Sequence, residues 1–421
     1  MISAVYGQST LEKVAKLMSK HQYSKVYRCF DDNMKSKVPV QQLKELWEQM
    51  ESVSGKLVSV DEITIKPLEG GSKQTAVLTF ERAALNMQLV ENEKVKLAGL
   101  FLSQLGYQQP AYANGLGIGK KYINFVSDTY TLSGELVIPL SCNNCPVVIL
   151  VHGSGPNDKD ETIGPNKVFY DLSMGLASKG VATFRYDKRS NLYPETLEGQ
   201  FDLYDETIND AIEALYTIKK DTALHFGKHV MLGHSLGAFS MPLIADSLGD
   251  QLDGAILFSA NARRLEDLIE YQMEYLTAWD GEITKEEADL IKINTNKAAN
   301  IRIGNYTTET AADSLLAYWP GKFWKGIETY NPVDQVRHNS TTPFYILQGE
   351  RDYQITMTDF DIWKKAVGDQ SNVSMKNYIG LSHLFTPSTS SKSGPNDYFI
   401  PNNVDYQVIG DIAQWVLEIN K

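Results

Sequence analysis

The chain has 421 residues, which at roughly 150 residues per domain leaves room for two or three domains and a full core. Hydrophobic residues make up 43% and charged residues 22%, close to the averages of soluble globular proteins, so disordered, collagenous and coiled-coil architectures are excluded. Forty Lys and Arg against 52 Asp and Glu leave a formal net charge of −12, which repels phosphate backbones and argues against a nucleic-acid partner.

Residues 1–8 have neither the charged region nor the long apolar stretch of a signal peptide, while their small side chains are compatible with the remnant of a trimmed one. Export and a cytoplasmic location therefore both stay open. Leu11, Val14, Ala15 and Met18 recur at helical spacing, as do Leu43, Leu46, Trp47 and Met50, predicting two amphipathic helices. Ala76, Leu78 and Phe80, then Leu85, Met87 and Leu89, alternate with period two as strands, and the polar tetrad Glu91-Asn92-Glu93-Lys94 turns the chain into Val95 and Leu97. Helices followed by an antiparallel sheet predict a small α+β domain over residues 1–105. Tyr107 to Gly119, with three glycines and a proline, is expected to be a linker.

From about residue 120 to 421 the pattern becomes strands alternating with helices, which predicts a mostly parallel sheet flanked by helices. The candidate strands are Val147–Val151, Ala182–Tyr186, His229 to Leu232, Gly254–Phe258, Pro343 to Leu347 and Met375 to Ile379. The first is also the longest unbroken apolar run, far below the roughly 20 residues of a membrane span. In open α/β sheets the chemistry gathers at the carboxyl ends of the strands. A strand-free insert at about 262–330 carries a capping box at Thr284 and Glu287 and the aromatics Tyr275, Trp279, Trp319, Phe323 and Trp324, and is expected to be a helical lid. The Ser-rich stretch 388–393 is expected to be an ordinary loop.

Three cysteines are too few for a disulfide scaffold. Cys142 and Cys145 stand as Cys-Asn-Asn-Cys ahead of a strand, whereas a thioredoxin-like site opens a helix, so a loop pair is the expectation, with a disulfide between them outside the cytosol left open. Without a second pair or neighbouring histidines they make a poor zinc site.

The strongest motif is Gly233-His234-Ser235-Leu236-Gly237, between an apolar strand and the helix-like run from Ala238 to Leu248. This is G-x-S-x-G in the strand-turn-helix context of a nucleophile elbow, with Ser235 as nucleophile. A serine hydroxyl needs a base, normally a histidine oriented by a carboxylate. Of seven histidines, His21 lies in the N-terminal domain, His225 and His229 enter the elbow strand from its far end, His234 is within the elbow itself, His152 starts a different loop and His338 precedes a strand. His383 alone follows a strand near the C-terminus, as the chain order Ser, acid, His requires. The acid belongs on Gln348-Gly349-Glu350-Arg351-Asp352; Asp352 is favoured because the glycine turn leaves room to return it over the sheet, with Glu350 as the alternative. His152-Gly153-Ser154-Gly155-Pro156 ends the first strand, and the amides of Ser154 and Leu236 are the candidate oxyanion donors. The acidic run Asn157 to Glu161 lacks the spacing and glycine of a calcium loop, which favours a solvated or internally hydrogen-bonded loop over a metal. No cofactor and no metal are called for.

These segments, together with Phe-Arg-Tyr-Asp-Lys-Arg from Phe184 and Gly-Glu-Arg-Asp-Tyr-Gln from Gly349, make the chain resemble bacterial serine esterases of the α/β-hydrolase fold, in the subgroup with a small extra N-terminal domain. The resemblance implies Ser235 as nucleophile, His383 as base and Asp352 as orienting acid, and a structural ion-pair cluster of Arg185, Asp187 and Arg189 beneath the site. Ser382 departs from the amide-bearing residue expected before the histidine. The expected function is hydrolysis of short-chain acyl esters, small-molecule substrates of roughly two to eight acyl carbons, through an acyl-enzyme. A peptidase or acyltransferase would share these residues. A non-catalytic binding protein would be expected to lack a triad member, and none is missing. The oligomeric state and the natural ester are not legible.

Overall fold

A computed structural model describes residues 9–81, 83–221, 225–279, 281–388, 390 and 392–419. The expectation for residues 1–8, and part of that for 388–393, lies outside the described residues. The chain forms two compact units, one of 1–108 with 164–166 and 395–401, the other of 109–163, 167–394 and 402–421.

In the first unit the helices Thr10–Ser19, Tyr23–Cys29, Asp32–Lys37 and Val40–Ser54 precede five antiparallel strands. The two expected helical stripes bury Leu11, Val14, Ala15, Met18, Leu43 and Trp47 against Ala76, Leu78, Phe80, Met87 and Leu89. Leu46, at the edge of its stripe, is 56% exposed. The strand Thr64–Leu68 is exposed at every residue and so has no alternating pattern to reveal it.

The second unit holds an eight-stranded sheet, in the spatial order Val373–Tyr378, Phe344–Gly349, Gly254–Phe258, His229–His234, Val147–Val151, Ala182–Tyr186, Tyr130–Pro139 and Ile118–Ser127. The first six are parallel and the last two antiparallel. Val147–Val151, its two neighbours Ala182–Tyr186 and His229–His234, and Gly254–Phe258 beyond the latter are buried almost throughout, which explains their largely apolar composition. The antiparallel pair escaped the sequence reading because Lys120, Lys121 and Tyr122 on its outer strand are exposed and interrupt the pattern. That strand begins at Ile118, so the end of the segment expected to be a linker already belongs to this unit.

Between Phe258 and Phe344 the chain forms the helices Leu265–Thr277, Lys285–Arg302, Gly321–Ile327 and Pro332–His338 with short 3-10 turns. Thr284 and Glu287 make the expected reciprocal capping box. No helix among the described residues is long and apolar enough to cross a membrane.

Candidate active site

The strand His229–His234 ends in a turn whose two glycines have identifiable tasks. A Cβ on Gly233 would lie 2.3 Å from the Gly237 carbonyl oxygen, and one on Gly237 would lie 2.4 Å from that of Val151. Ser235 between them has φ 55° and ψ −115°, outside the regions that L-residues favour. Strain of this kind persists only where the surroundings fix it: Ser235 N–H donates to Phe258 O at 3.0 Å and its carbonyl accepts from Phe239 N–H at 2.9 Å. From Val230 to Pro242 it is the one residue that is not fully buried.

Two further strands deliver a carboxylate and an imidazole. Asp352 follows Phe344–Gly349, and its Oδ2 lies 2.7 Å from Nδ1 of His383, which follows Val373–Tyr378. Both side chains are buried. Gln348 Nε2 donates to Asp352 Oδ2 at 3.1 Å, and the amides of Gln354 and Ile355 donate to Oδ1 at 2.8 and 3.0 Å. Glu350 is exposed and accepts from Asn377. The unexpected Ser382 closes the turn around His383: its hydroxyl lies 2.9 Å from that of Thr386 and accepts the Leu384 amide at 3.3 Å.

The loop after Val147–Val151 approaches the elbow so closely that a Cβ on Gly153 would stand 3.2 Å from Ser235 Cβ. Buried carboxylates take the amides on either side of Ser154: Gly153 N–H donates to Glu161 at 2.8 Å and Gly155 N–H to Glu206 at 3.1 Å. Lys188 Nζ donates to Gly153 O at 2.7 Å and to Glu206 at 2.6 Å, and Asn157 Nδ2 caps the carbonyls of Gly153, Ser154 and Gly155. Glu206 sits in a π-helical turn, Tyr204–Ile208. Leu236 is the first residue of the helix Leu236–Leu248, where an amide has no intrahelical acceptor and the helix dipole favours an anion.

Composition and spacing did not reveal Glu161, Lys188, Glu206 or the structural part of His234. Glu161 Oε2 is 2.9 Å from His234 Nδ1, and both side chains are buried. Burial pushes the Glu161 pKa up, but the His234 charge and hydrogen bond carry it below the usual carboxylate value. Burial likewise opposes charge on His234, yet Glu161 holds its pKa above 6.5. His152, also buried, donates from Nε2 to Asp158 O at 3.1 Å and is held down to about 4, burial being the leading cause. The acidic run is internally bonded, with Asp158 accepting from Asp160 and Thr162, and Asp160 paired with Lys167 and Arg185. Arg185, Asp187 and Arg189 do not pair with one another. Arg185 meets Glu135 and Asp160, Arg189 meets Asp210 and Asp128, and Asp187 accepts from Ser133 and the Lys159 amide, because each side chain points to a different neighbouring segment. Among the described residues, no group of three or more His, Cys, Asp or Glu could hold a metal ion.

The helix Leu265–Thr277 docks beside the acid loop. Gln272 Nε2 donates to Gln354 O at 3.1 Å, and the Tyr275 and Tyr353 rings stack 5.6 Å apart. The structure brings Asp352 and His383 together, and the His383 loop meets the elbow through His234, whose Nε2 lies 3.0 Å from His383 O; among the described residues no hydrogen bond joins His383 to Ser235 itself.

The family described as "Serine aminopeptidase, S33" matches residues 144–386, and one described as a protein of unknown function (DUF3887) matches 12–100. Esterase EstD of Thermotoga maritima is 31% identical over 429 aligned positions that cover 99% of this chain and 97% of that protein. Among solved structures, Est1E from Butyrivibrio proteoclasticus shares 18% identity over 70% of this chain and 98% of its own, with a TM-score of 0.44. Pyrococcus furiosus esterase Pf2001 shares 12% over 75% and 95%, with a TM-score of 0.46. With one family match over more than half of the chain and a relative aligned along nearly all of it, the chain belongs to the α/β-hydrolase serine esterases that carry a small N-terminal domain before the hydrolase unit.

Proposed function

We propose that this enzyme is a carboxylesterase of short-chain acyl esters, with Ser235 as nucleophile, His383 as base, Asp352 as the orienting acid and the Ser154 and Leu236 amides as oxyanion donors. The observation that carries the assignment is the 2.7 Å contact between Asp352 and His383 Nδ1, which leaves Nε2 to serve the serine. In the first step His383 removes the Ser235 proton as Oγ attacks the ester carbonyl. The amides receive the oxyanion, and the protonated imidazole hands its proton to the departing alcohol. Water, deprotonated by the same histidine, then releases the acid and restores the serine.

The restriction to short acyl chains is supported by the insert at about 262–330, read as a lid. Its apolar side chains Leu265, Leu268, Leu316, Phe323 and Trp324 share one continuous core cluster with Leu236 and the sheet. An insert consolidated in this way is a fixed part of the hydrolase unit, which supports reading it as a wall that limits acyl length and not as a lipid-facing surface. The disulfide between Cys142 and Cys145 supports export to an oxidising compartment.

The S33 family description favours a second reading, a peptidase with the same catalytic residues. A panel of aryl esters of increasing acyl length, run beside aminoacyl anilides, tests both. Turnover of esters of roughly two to eight acyl carbons that far exceeds turnover of the anilides is expected. Preference for the anilides assigns a peptidase, and an optimum at long chains removes the lid argument.

A further inference from the structure

Two buried ionisable groups lie next to the site but stand where neither can serve as the general base. His234 precedes Ser235 and is 2% exposed; Glu161 lies in the loop after Val147–Val151 and is 1% exposed. Glu161 divides its carboxylate, with Oε1 accepting Gly153 N–H at 2.8 Å and Oε2 lying 2.9 Å from His234 Nδ1. The other ring nitrogen of His234, Nε2, lies 3.0 Å from the carbonyl oxygen of His383. A carbonyl oxygen only accepts, and so does an ionised carboxylate. With Glu161 ionised, both ring nitrogens of His234 donate, and the ring is an imidazolium.

We infer that Glu161 and His234 are positioning residues, a buried ion pair that fixes the oxyanion loop, the elbow and the His383 loop in one register. The inference rests on the assignment of Ser235 and His383 proposed above. Three segments distant in sequence meet in this pair: Gly153 through its amide, the elbow through the residue adjoining Ser235, and the base through its own backbone carbonyl. Glu161 takes the Gly153 amide, and so fixes the loop next to Ser154, the residue proposed above as an oxyanion donor. The His234 and His383 rings lie 4.7 Å apart between centroids, so a shift of one displaces the other. The titratable groups around the pair are Asp352 and His383 on the acid and base loops, His152 beside Glu161, and Lys188 beyond His152. The downward shift of Glu161 and the upward shift of His234 agree with the ionised form.

The test combines a spectrum with a rescue. In wild-type enzyme carrying 15N-histidine, both ring nitrogens of His234 should appear protonated at pH 7. Glu161→Ala removes both acceptors, and kcat per site titrated with a fluorophosphonate should fall about 100-fold, the scale of an ångström misplacement, with little change in KM. Glu161→Gln can still accept from Gly153 and donate to a neutral His234 that keeps its bond to His383, so it should recover most of that loss. A neutral His234 in the wild type overturns the inference even where the alanine variant does not fold. So does undiminished kcat per titrated site in Glu161→Ala, or a Glu161→Gln enzyme as impaired as the alanine one. Failure of the wild type to label at Ser235 overturns the Ser235 assignment and this inference with it, whereas labelling with an unaffected Glu161→Ala overturns the pair alone.

Discussion

Asp352 holds His383 by a 2.7 Å contact to Nδ1 while three other donors, from Gln348, Gln354 and Ile355, hold Asp352. The carboxylate cannot rotate without breaking several hydrogen bonds, so it fixes both the direction and the tautomer of the imidazole. Asp352→Asn should lower kcat by about 10⁴, the cost of a wrong tautomer in a comparable triad. Glu350→Gln, at an exposed residue bonded to Asn377, should leave kcat within about twofold, since surface changes of this kind are small. A larger loss in the Glu350 variant would move the acid by two residues.

Acid should destabilise the fold through two histidines that are neutral when folded. Burial, reinforced by the nearby lysines Lys188 and Lys219 respectively, holds His152 and His229 down to about 4, against an ordinary value of 6.5. Between these values the unfolded chain binds protons that the folded chain does not, so stability falls as the pH drops from 6.5 towards 4. Melting temperatures across that window should decline less steeply in His229→Gln than in the wild type. Parallel curves would remove His229 from the account.

Trp319 and Trp324 should respond differently to truncation. Trp324 is 1% exposed and packs edge-on against Phe323, whereas Trp319 is only partly buried, with its ring 4.4 Å from that of Phe323. Trp324→Ala should cost about 3–5 kcal/mol of stability, as for other large core truncations, and leave the acyl-length profile unchanged. Trp319→Ala should shift the profile towards longer chains if its ring walls the acyl pocket. An unchanged profile in both variants would place selectivity elsewhere.

The Cys142–Cys145 disulfide lies just before Val147–Val151, at the amino end of that strand and so at the opposite sheet edge from Ser235. Replacing both cysteines with serine should leave kcat unchanged. A large loss of turnover with an unaltered melting temperature would give the pair a redox role.

The parts of the site legible in the sequence were those with local signatures. Gly233 and Gly237 announce the elbow because backbone crowding forbids side chains there, Asp352 follows the apolar strand Phe344–Gly349, and His383 was singled out by its place in the chain order, its strand Val373–Tyr378 being largely polar. The supporting shell was not legible. Glu161 sits in an acidic run that resembles solvated surface, and its partner His234 is 73 residues away. Lys188 and Glu206 join the loop after Val147–Val151 only through the fold. The same limit applies to Arg185, Asp187 and Arg189: their closeness in sequence suggested a mutual cluster, but their partners lie on separate segments.

The most direct test of the account is modification of the nucleophile. A fluorophosphonate should label the wild-type chain at Ser235 with simultaneous loss of ester hydrolysis. Ser235→Ala, which removes a single oxygen from the half-buried turn, should fold normally, resist labelling and lose about 10⁵ to 10⁶ in kcat, by comparison with other triad nucleophiles. Labelling at another residue, or hydrolysis undiminished in a folded Ser235→Ala enzyme, would contradict the account.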